Sequence, residues 1–203
     1  MSKIKENSGV LIQGHIKIHD PESDKVFVDK RNAIHYENMS VALAESVANQ
    51  GQGFIHEMAF GNGGTSVDPT GIITYLTPNS TGTNATLYNQ TYTKIVDDRS
   101  VSNLDPQRNK IETRHVNGTN YTDVVVTCLL DYGEPNGQDA VDGASSSASL
   151  YVFDELGLVS YSPSGTGKLL THVIFHPVQK SLNRLIQIDY TVRVQSLTGF
   201  NEG

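Results

Sequence analysis

Histidines are the side chains of this chain best suited to acid–base catalysis or to binding a transition metal. His15 and His19 form one pair four residues apart, and His172 and His176 form another. On a strand, such partners lie on one face about 13 Å apart, which is too far to share a metal ion. The chain has no Cys/His cluster and no H-E-x-x-H motif. The pattern therefore favours histidines that are solvated or hydrogen-bonded on strands.

Carboxylates are adjacent in two places, at Asp97-Asp98 and at Asp154-Glu155. Because side chains alternate along a strand, we expect the members of each pair to point apart and not to form an acid–base couple. The acidic stretches 20–24 and 131–143 offer oxygen ligands that suit calcium, but neither follows the twelve-position calcium loop. Solvated turns are the main interpretation, and a calcium ion is the alternative.

Two glycine-rich stretches could cradle a phosphate group. In SPSGTGKLL, Gly167-Lys168 matches the end of a phosphate-binding loop, but Ser162 and Leu169 stand where that motif needs glycine and a hydroxyl side chain. In GFIHEMAFGNGG, residues 53–64, the glycines are followed by residues that cannot begin a helix, so no helix N-terminus awaits an anion. Both stretches are predicted to be turns. We expect no catalytic residues, no cofactor and no enzyme activity.

Length and charge limit the number of domains and the classes of partner that the chain can bind. The 203 residues suit one domain, and 15 Lys and Arg against 22 Asp and Glu give a net charge of -7, which repels nucleic acid. No apolar run has the length of a membrane span, and the N-terminus lacks a signal peptide's apolar core, so we expect a soluble product of the cytoplasm. The single cysteine, Cys128, lies within VVVTCLL and cannot form an intrachain disulfide.

Strand patterns dominate the chain. Residues 14–32 alternate as a hairpin, and residues 186–195 alternate strictly, with Ile186, Ile188, Tyr190, Val192 and Val194 on one face. One helix is predicted at about residues 36–50, with Asn38 or Ser40 as its N-cap and Gly51 at its end. The sequence thus predicts a mainly β fold, an antiparallel β-sandwich or barrel with one packed α-helix.

The remaining strands are predicted from short apolar runs. GIITYL, TYTKIVDD, KIETRHV, YTDVVVTCLLDY and THVIFHPV read as single strands, and LYVFDELGLVSYS reads as a hairpin-like unit. TPNSTGTNATLYNQ reads as an exposed polar loop. We expect residues 1–203 to form one β-rich domain with ordered N- and C-terminal extensions. A long acidic loop at 132–149 is a candidate contact arm.

The order of these elements resembles virion structural proteins of tailed bacteriophages, especially contractile ones with long tails. The resemblance covers about residues 10–100: a hairpin with an Asp/Gly-type turn, then Asn32 and the helix, then a strand that ends in the Phe60–Gly64 turn. It implies a non-catalytic part of the neck, tail or baseplate, located in the virion and assembled in the host cytoplasm. The implied partners are other virion proteins and copies of the chain itself, in a symmetric homo-oligomer.

Uneven charge suggests how copies could meet. Residues 131–155 are acidic, whereas residues 168–193 carry Lys168, Lys180, Arg184 and Arg193 against Asp189 alone. We expect the acidic segment of one copy to face the basic segment of the next in a head-to-tail ring.

Other functions stay open. The chain could be a capsid decoration protein, or a carbohydrate- or calcium-binding surface module in which Tyr75, Tyr88 and Tyr92 stack on sugars. An enzyme would require a histidine–carboxylate cluster that only the fold assembles.

Overall fold

A computed structural model describes residues 8–135 and 150–198. The predicted terminal extensions, at residues 1–7 and 199–203, lie outside the described residues. So does most of the predicted acidic loop, at residues 136–149.

Nine strands form one antiparallel sheet in the order β6-β3-β9-β10-β2-β1-β11-β8-β7, and the sheet curls into a half-barrel. Two short strands, β4 and β5, form a separate hairpin. The prediction of a mainly β, antiparallel fold with one packed helix is confirmed. The strands are β1 (Ser8–His19), β2 (Val26–Ile34), β3 (Ile55–Gly61), β4 (Thr65–Val67), β5 (Ile73–Tyr75), β6 (Gln90–Ile95), β7 (Lys110–His115), β8 (Tyr121–Leu130), β9 (Leu150–Ser160), β10 (Thr171–Ser181) and β11 (Ile186–Thr198).

Long strands lie inside the sheet, and β11 has the alternation of buried and partly exposed residues that its sequence predicts. Strand β11 pairs with β1 on one side and with β8 on the other, and its residues Ile186, Ile188, Tyr190 and Val192 are buried. Strand β9 corrects the prediction of a hairpin-like unit at LYVFDELGLVSYS, because it runs unbroken for 11 residues. It lies between β3 and β10, and its residue Glu155 is paired with Gly61 of β3 and with Ile174 of β10.

Helix α1 (Tyr36–Val47) packs Met39 and Ala42 into the core formed by the sheet. Its N-cap is His35, whose Nδ1 accepts a hydrogen bond from the Asn38 main-chain N–H at 3.2 Å. The predicted caps, Asn38 and Ser40, are therefore wrong, because both lie inside the helix. Within residues 8–135 and 150–198, no helix has the length and apolar character needed to cross a membrane.

The half-barrel has a seam between its edge strands β6 and β7, and the connecting residues 97–109, here called the seam loop, span it. Asn103 is buried in this loop and donates from Nδ2 to the carbonyls of Asp97 and Asn109. The ammonium of Lys94 donates to the Leu129 carbonyl across the seam. The Lys94 side chain thus connects the edge strand β6 to β8, the neighbour of the other edge strand.

Candidate functional site

Residues 62–89 connect β3 to β6 and are here called the arm. The arm contains the β4–β5 hairpin and an irregular polar segment. A two-stranded hairpin is at best marginally stable alone in water. What holds the arm in place is therefore the first question about its role.

Asp154 binds the beginning of the arm. Its carboxylate accepts main-chain N–H bonds from Gly64 and Thr65, each at 2.9 Å, and a further bond from the Thr65 hydroxyl. Gly64 has no room for a side chain, since a Cβ there would lie 2.9 Å from Ile174 and 3.1 Å from Glu155. The glycine-rich stretch after β3 is thus a turn, as predicted, and its main chain faces the protein's own carboxylate.

Glu155 binds both ends of the arm. It is 0% exposed and accepts four hydrogen bonds: from the N–H groups of Gly63 at 3.0 Å, Tyr88 at 3.0 Å and Asn89 at 2.8 Å, and from His172 Nε2 at 2.9 Å. Bonds to a charged group are stronger than neutral ones. One carboxylate therefore joins residues at both ends of a segment of nearly thirty residues to β9.

His172, also 0% exposed, extends the anchor to the middle of the arm. Its Nδ1 accepts a hydrogen bond from the Asn79 N–H at 2.8 Å, so Nδ1 carries no proton and Nε2 is the atom that donates to Glu155. Glu155 and His172 thus act as one buried unit with the arm wrapped around it.

Helix α1 supplies a further contact at the polar segment. His35 Nε2 lies 3.0 Å from the Gly82 carbonyl, and the Glu37 carboxylate accepts the Gly82 N–H at 3.2 Å. Because His35 Nδ1 caps the helix, Nε2 is its donor. The segment predicted as an exposed polar loop is therefore mostly exposed, yet bonded at defined points.

The two adjacent carboxylates differ in their electrostatics. Burial acts to raise the pKa of Glu155, but the bonds from His172 and three main-chain N–H groups outweigh it and hold the pKa below its ordinary value. Burial raises the pKa of Asp154, and the bonds from Thr65 and Gly64 offset this only in part. Glu155 is therefore the charged anchor of the arm near neutral pH.

The hairpin of the arm exposes apolar side chains. Val67 is 61% exposed and Ile72 is 63% exposed, and Tyr75 and Leu76 are also exposed. The hairpin tip is organised by Asp68, whose carboxylate accepts bonds from Thr70 and from the Ile72 N–H. The arm thus presents apolar side chains to solvent on a hairpin whose turn is organised by Asp68.

Comparisons with known proteins identify no family for the chain. No protein-family model, no curated protein and no solved structure matches it. Any functional proposal rests on the chemistry of the arm and of its anchor.

The predicted histidine pairs are not brought together at one site. His15 pairs with Asp29 at 2.8 Å and His19 with Asp189 at 3.0 Å, while His176 is exposed, with Nδ1 3.4 Å from the Tyr75 hydroxyl. Hydrogen-bonded or solvated histidines are thus what the fold shows. In the part of the chain that the structure describes, no three His, Cys, Asp or Glu side chains are grouped to hold a metal ion.

The adjacent carboxylates correct an expectation. We expected Asp154 and Glu155 to point apart, but the carboxylates of both accept hydrogen bonds from the turn after β3, at Gly64 and Gly63. Sequence reasoning missed this anchor, although one signal was available. Asp154 and Glu155 interrupt the apolar run LYVFDELGLV, and buried acids require hydrogen-bond partners.

Several charged side chains that were predicted to meet between copies instead form hydrogen bonds or ion pairs within one chain. Lys180 is 1% exposed and donates to the carbonyls of Asp131 and Ser181, and burial lowers its pKa to about 8. Arg193 pairs with Asp123 on the neighbouring strand at 2.7 Å. The predicted head-to-tail contact between segments 131–155 and 168–193 therefore cannot use Lys180, because its ammonium is enclosed.

The three tyrosines proposed to stack on sugars divide into two groups. Tyr75 is 50% exposed and Tyr88 is 44% exposed, and both belong to the arm. Tyr92 packs against Phe60 and Tyr151, with ring centroids 5.9 and 6.3 Å apart, and burial raises its pKa. Only the first two offer an open aromatic surface.

Proposed function

We propose that the chain is a non-catalytic structural component of a tailed-bacteriophage virion, in the neck, tail or baseplate, and that its copies and other virion proteins meet through the arm. The observation that carries the proposal is the arm itself, with a buried charged anchor at its base and exposed apolar side chains on its hairpin. The resemblance in the first hundred residues points to the same class of protein.

Anchoring favours a role in binding. An apolar patch on a mobile loop loses conformational entropy when it docks, whereas a surface already held in place avoids much of that cost. Exposed apolar patches commonly mark interaction sites, and the centres of interfaces are depleted in charge. The hairpin of the arm meets both conditions, because its charged residue Asp68 is engaged in organising the turn.

The histidine–carboxylate cluster supports a structural role over a catalytic one. Both oxygens of Glu155, both oxygens of Asp154 and both ring nitrogens of His172 already have hydrogen-bond partners within the chain. A general acid or base needs to reach a proton on a substrate. These groups face the arm instead.

Oligomeric state tests the proposal. We expect the purified chain to form a defined oligomer by light scattering after gel filtration, with a ring or regular particle in negative-stain images. The double variant Val67→Ser, Ile72→Ser should dissociate it, because both side chains are exposed and contribute to contacts more than to the fold. Val116→Ser, at a residue 60% exposed outside the arm, is the matched control. A monomer at every concentration, or normal assembly of the arm variant, would contradict the proposal.

A capsid decoration protein or a carbohydrate-binding surface module is the alternative, and the open rings of Tyr75 and Tyr88 on the arm favour the saccharide version. Glycan binding by a monomeric chain, lost in Tyr88→Ala, would support this alternative over self-assembly.

A further inference from the structure

An apolar cavity of about 400 Å³ opens between helix α1 and strands β7, β8 and β11. Val124, Leu170 and Val192 are among its apolar lining residues, and because Leu170 and Val192 are buried, the cavity reaches the core of the half-barrel. Ser46 and Asp98 also line it and are exposed to solvent, so they mark its mouth. Small-molecule sites are commonly apolar clefts of about 300 to 1,000 Å³ with a few polar groups. The size and walls of this cavity therefore suit a small ligand with an apolar body.

Three consecutive residues of the seam loop, Asp97, Asp98 and Arg99, supply the charged groups of the cavity. No other charged side chain is found among the described residues that line it. Asp97 is buried, and its Oδ1 accepts hydrogen bonds from the Arg99 N–H at 3.1 Å and from Arg99 Nε at 3.0 Å. The guanidinium of Arg99 also lies over the Phe54 ring, with Cζ 5.0 Å from the ring centroid. Asp97 and Arg99 therefore neutralise each other within the chain.

Asp98 carries the remaining, unbalanced charge at the mouth. Its Oδ1 lies 3.4 Å from the main-chain nitrogen of Ile111, which donates to it. Since Ile111 is itself a lining residue, this bond holds the carboxylate beside the apolar walls. Within residues 8–135 and 150–198, the Asp98 carboxylate forms no ion pair with Lys, Arg or His. One carboxylate thus lies at the mouth of an apolar cavity without a cation from the described residues.

We propose that the cavity binds a small amphipathic amine, with its aliphatic or aromatic body against the apolar walls and its protonated amine beside Asp98. Charge complementarity selects this class of ligand. A ligand with a carboxylate would be repelled by Asp98 and would find Arg99 already bonded to Asp97. A neutral ligand would bury the same apolar area but leave Asp98 without a partner. The site is separate from the arm, so it goes beyond the proposed function and does not depend on it.

Three octyl compounds that differ only in the head group test the proposal. Calorimetry on the full chain at low salt should show octylamine binding about threefold more tightly than octanol and about tenfold more tightly than octanoate, because an exposed ion pair contributes modestly. The preference for octylamine over octanol should shrink in about 1 M salt, which screens exposed charges beyond about 3 Å.

The Asp98→Asn variant isolates the effect of the head group. It should bind octylamine and octanol with similar dissociation constants, while its affinity for octanol stays that of the parent. Asp24→Asn is the matched control, because Asp24 is exposed in the turn between β1 and β2 and does not line the cavity. Its φ of 57° also suits asparagine, so the control should fold and keep the preference for octylamine.

The Ser46→Trp variant tests the location of the site. Its indole would occupy the mouth, so both octylamine and octanol should bind about tenfold more weakly or worse. Ser40→Trp is the matched control, since Ser40 is exposed on the same helix but does not line the cavity. Circular dichroism checks that both variants are folded. In the parent chain, the methyl NMR signals of Val124 and Val192 should shift as octylamine is added, which locates the ligand without any variant.

Three results would overturn the inference. One is the absence of binding by all three compounds at millimolar concentration. Another is octanoate binding as tightly as octylamine, which would contradict the class of ligand. The third is octylamine binding that is unchanged in Asp98→Asn and Ser46→Trp and leaves the methyl signals of the cavity unshifted, which would place the compound elsewhere.

Discussion

Replacement of Glu155 by Gln is the sharpest test of the anchor. Each Glu155 oxygen accepts two hydrogen bonds, and the amide of Gln would present an N–H₂ group to one of those donor pairs. Two buried donors would then lose their acceptor, at about 1–3 kcal/mol each. The charge that strengthens the other two bonds would be lost as well. We therefore expect the free energy of unfolding to fall by about 3–5 kcal/mol.

Two measurements check this prediction. In a chain of this size, a loss of about 3–5 kcal/mol lowers Tm by about 6–20 °C. Hydrogen exchange should accelerate selectively at the amides of Gly63, Tyr88 and Asn89, which donate to Glu155. Glu57→Gln on β3 is the matched control, because the Glu57 carboxylate makes no hydrogen bond or ion pair within the described residues, while its main chain is paired in the sheet. A Glu155→Gln protein that melts within 2 °C of the parent, with unchanged exchange in the arm, would refute the reasoning.

Two further predictions concern other buried groups. Burial lowers the pKa of Lys180 from 10.5 to about 8, so between these pH values the unfolded chain binds more protons than the folded chain, and the free energy of unfolding rises with pH. Urea titrations of the Lys180→Met variant should no longer show this rise. An unchanged pH dependence in the variant would show that Lys180 is not the cause. His35→Ala should lower the free energy of unfolding by about 2 kcal/mol in thermal unfolding, because it removes the helix cap and the contact to Gly82. Ser40→Ala should lower it by less than about 0.5 kcal/mol. A larger loss in the Ser40 variant would favour the cap predicted from sequence.

Acid should weaken the anchor in a defined direction. The pKa of Glu155 in the folded chain lies below its ordinary 4.5, so its stabilising contribution is complete above pH 4.5 and is lost as the pH falls through the folded-state pKa. The raised pKa of Asp154 has the opposite effect on the free energy of unfolding, because the folded chain takes up this proton more readily than the unfolded chain and is stabilised as the pH falls. The acid sensitivity removed by Glu155→Gln reports on Glu155 together with Asp154, because the charge of Glu155 contributes to the raised pKa of Asp154.

Local patterns predicted the parts of the fold that depend on neighbours in sequence. The alternation in β11 and the turn between β1 and β2 both follow from side-chain period and turn residues, and both appear in the structure. The helix position was predicted, but its cap was not, because His35 caps through a ring nitrogen and is held in place by the distant carbonyls of Leu170 and Gly82. N-cap preferences consider only the residue types next to the helix start, so they do not include partners that are distant in sequence.

The anchor of the arm depends on pairings that a single sequence does not display. Gly63 and Glu155 are separated by 92 positions and meet only because β3 pairs with β9. His172 reaches Glu155 from the strand on the other side of β9. The glycines could be assigned to a turn from sequence, whereas the group that the turn binds could not, since it is set by strand order.

The energetic cost of this arrangement bears on its purpose. A buried charged group requires desolvation that its hydrogen bonds only partly repay, and well-packed apolar residues are often as stabilising as a buried ion pair. Stability alone would thus be served by an apolar contact between β9 and the arm. A carboxylate with four directed bonds does something that an apolar contact cannot, because it accepts only one placement of Gly63, Tyr88 and Asn89. We infer that Glu155 orients the arm, and an oriented apolar surface is what the proposed assembly of repeated copies would require.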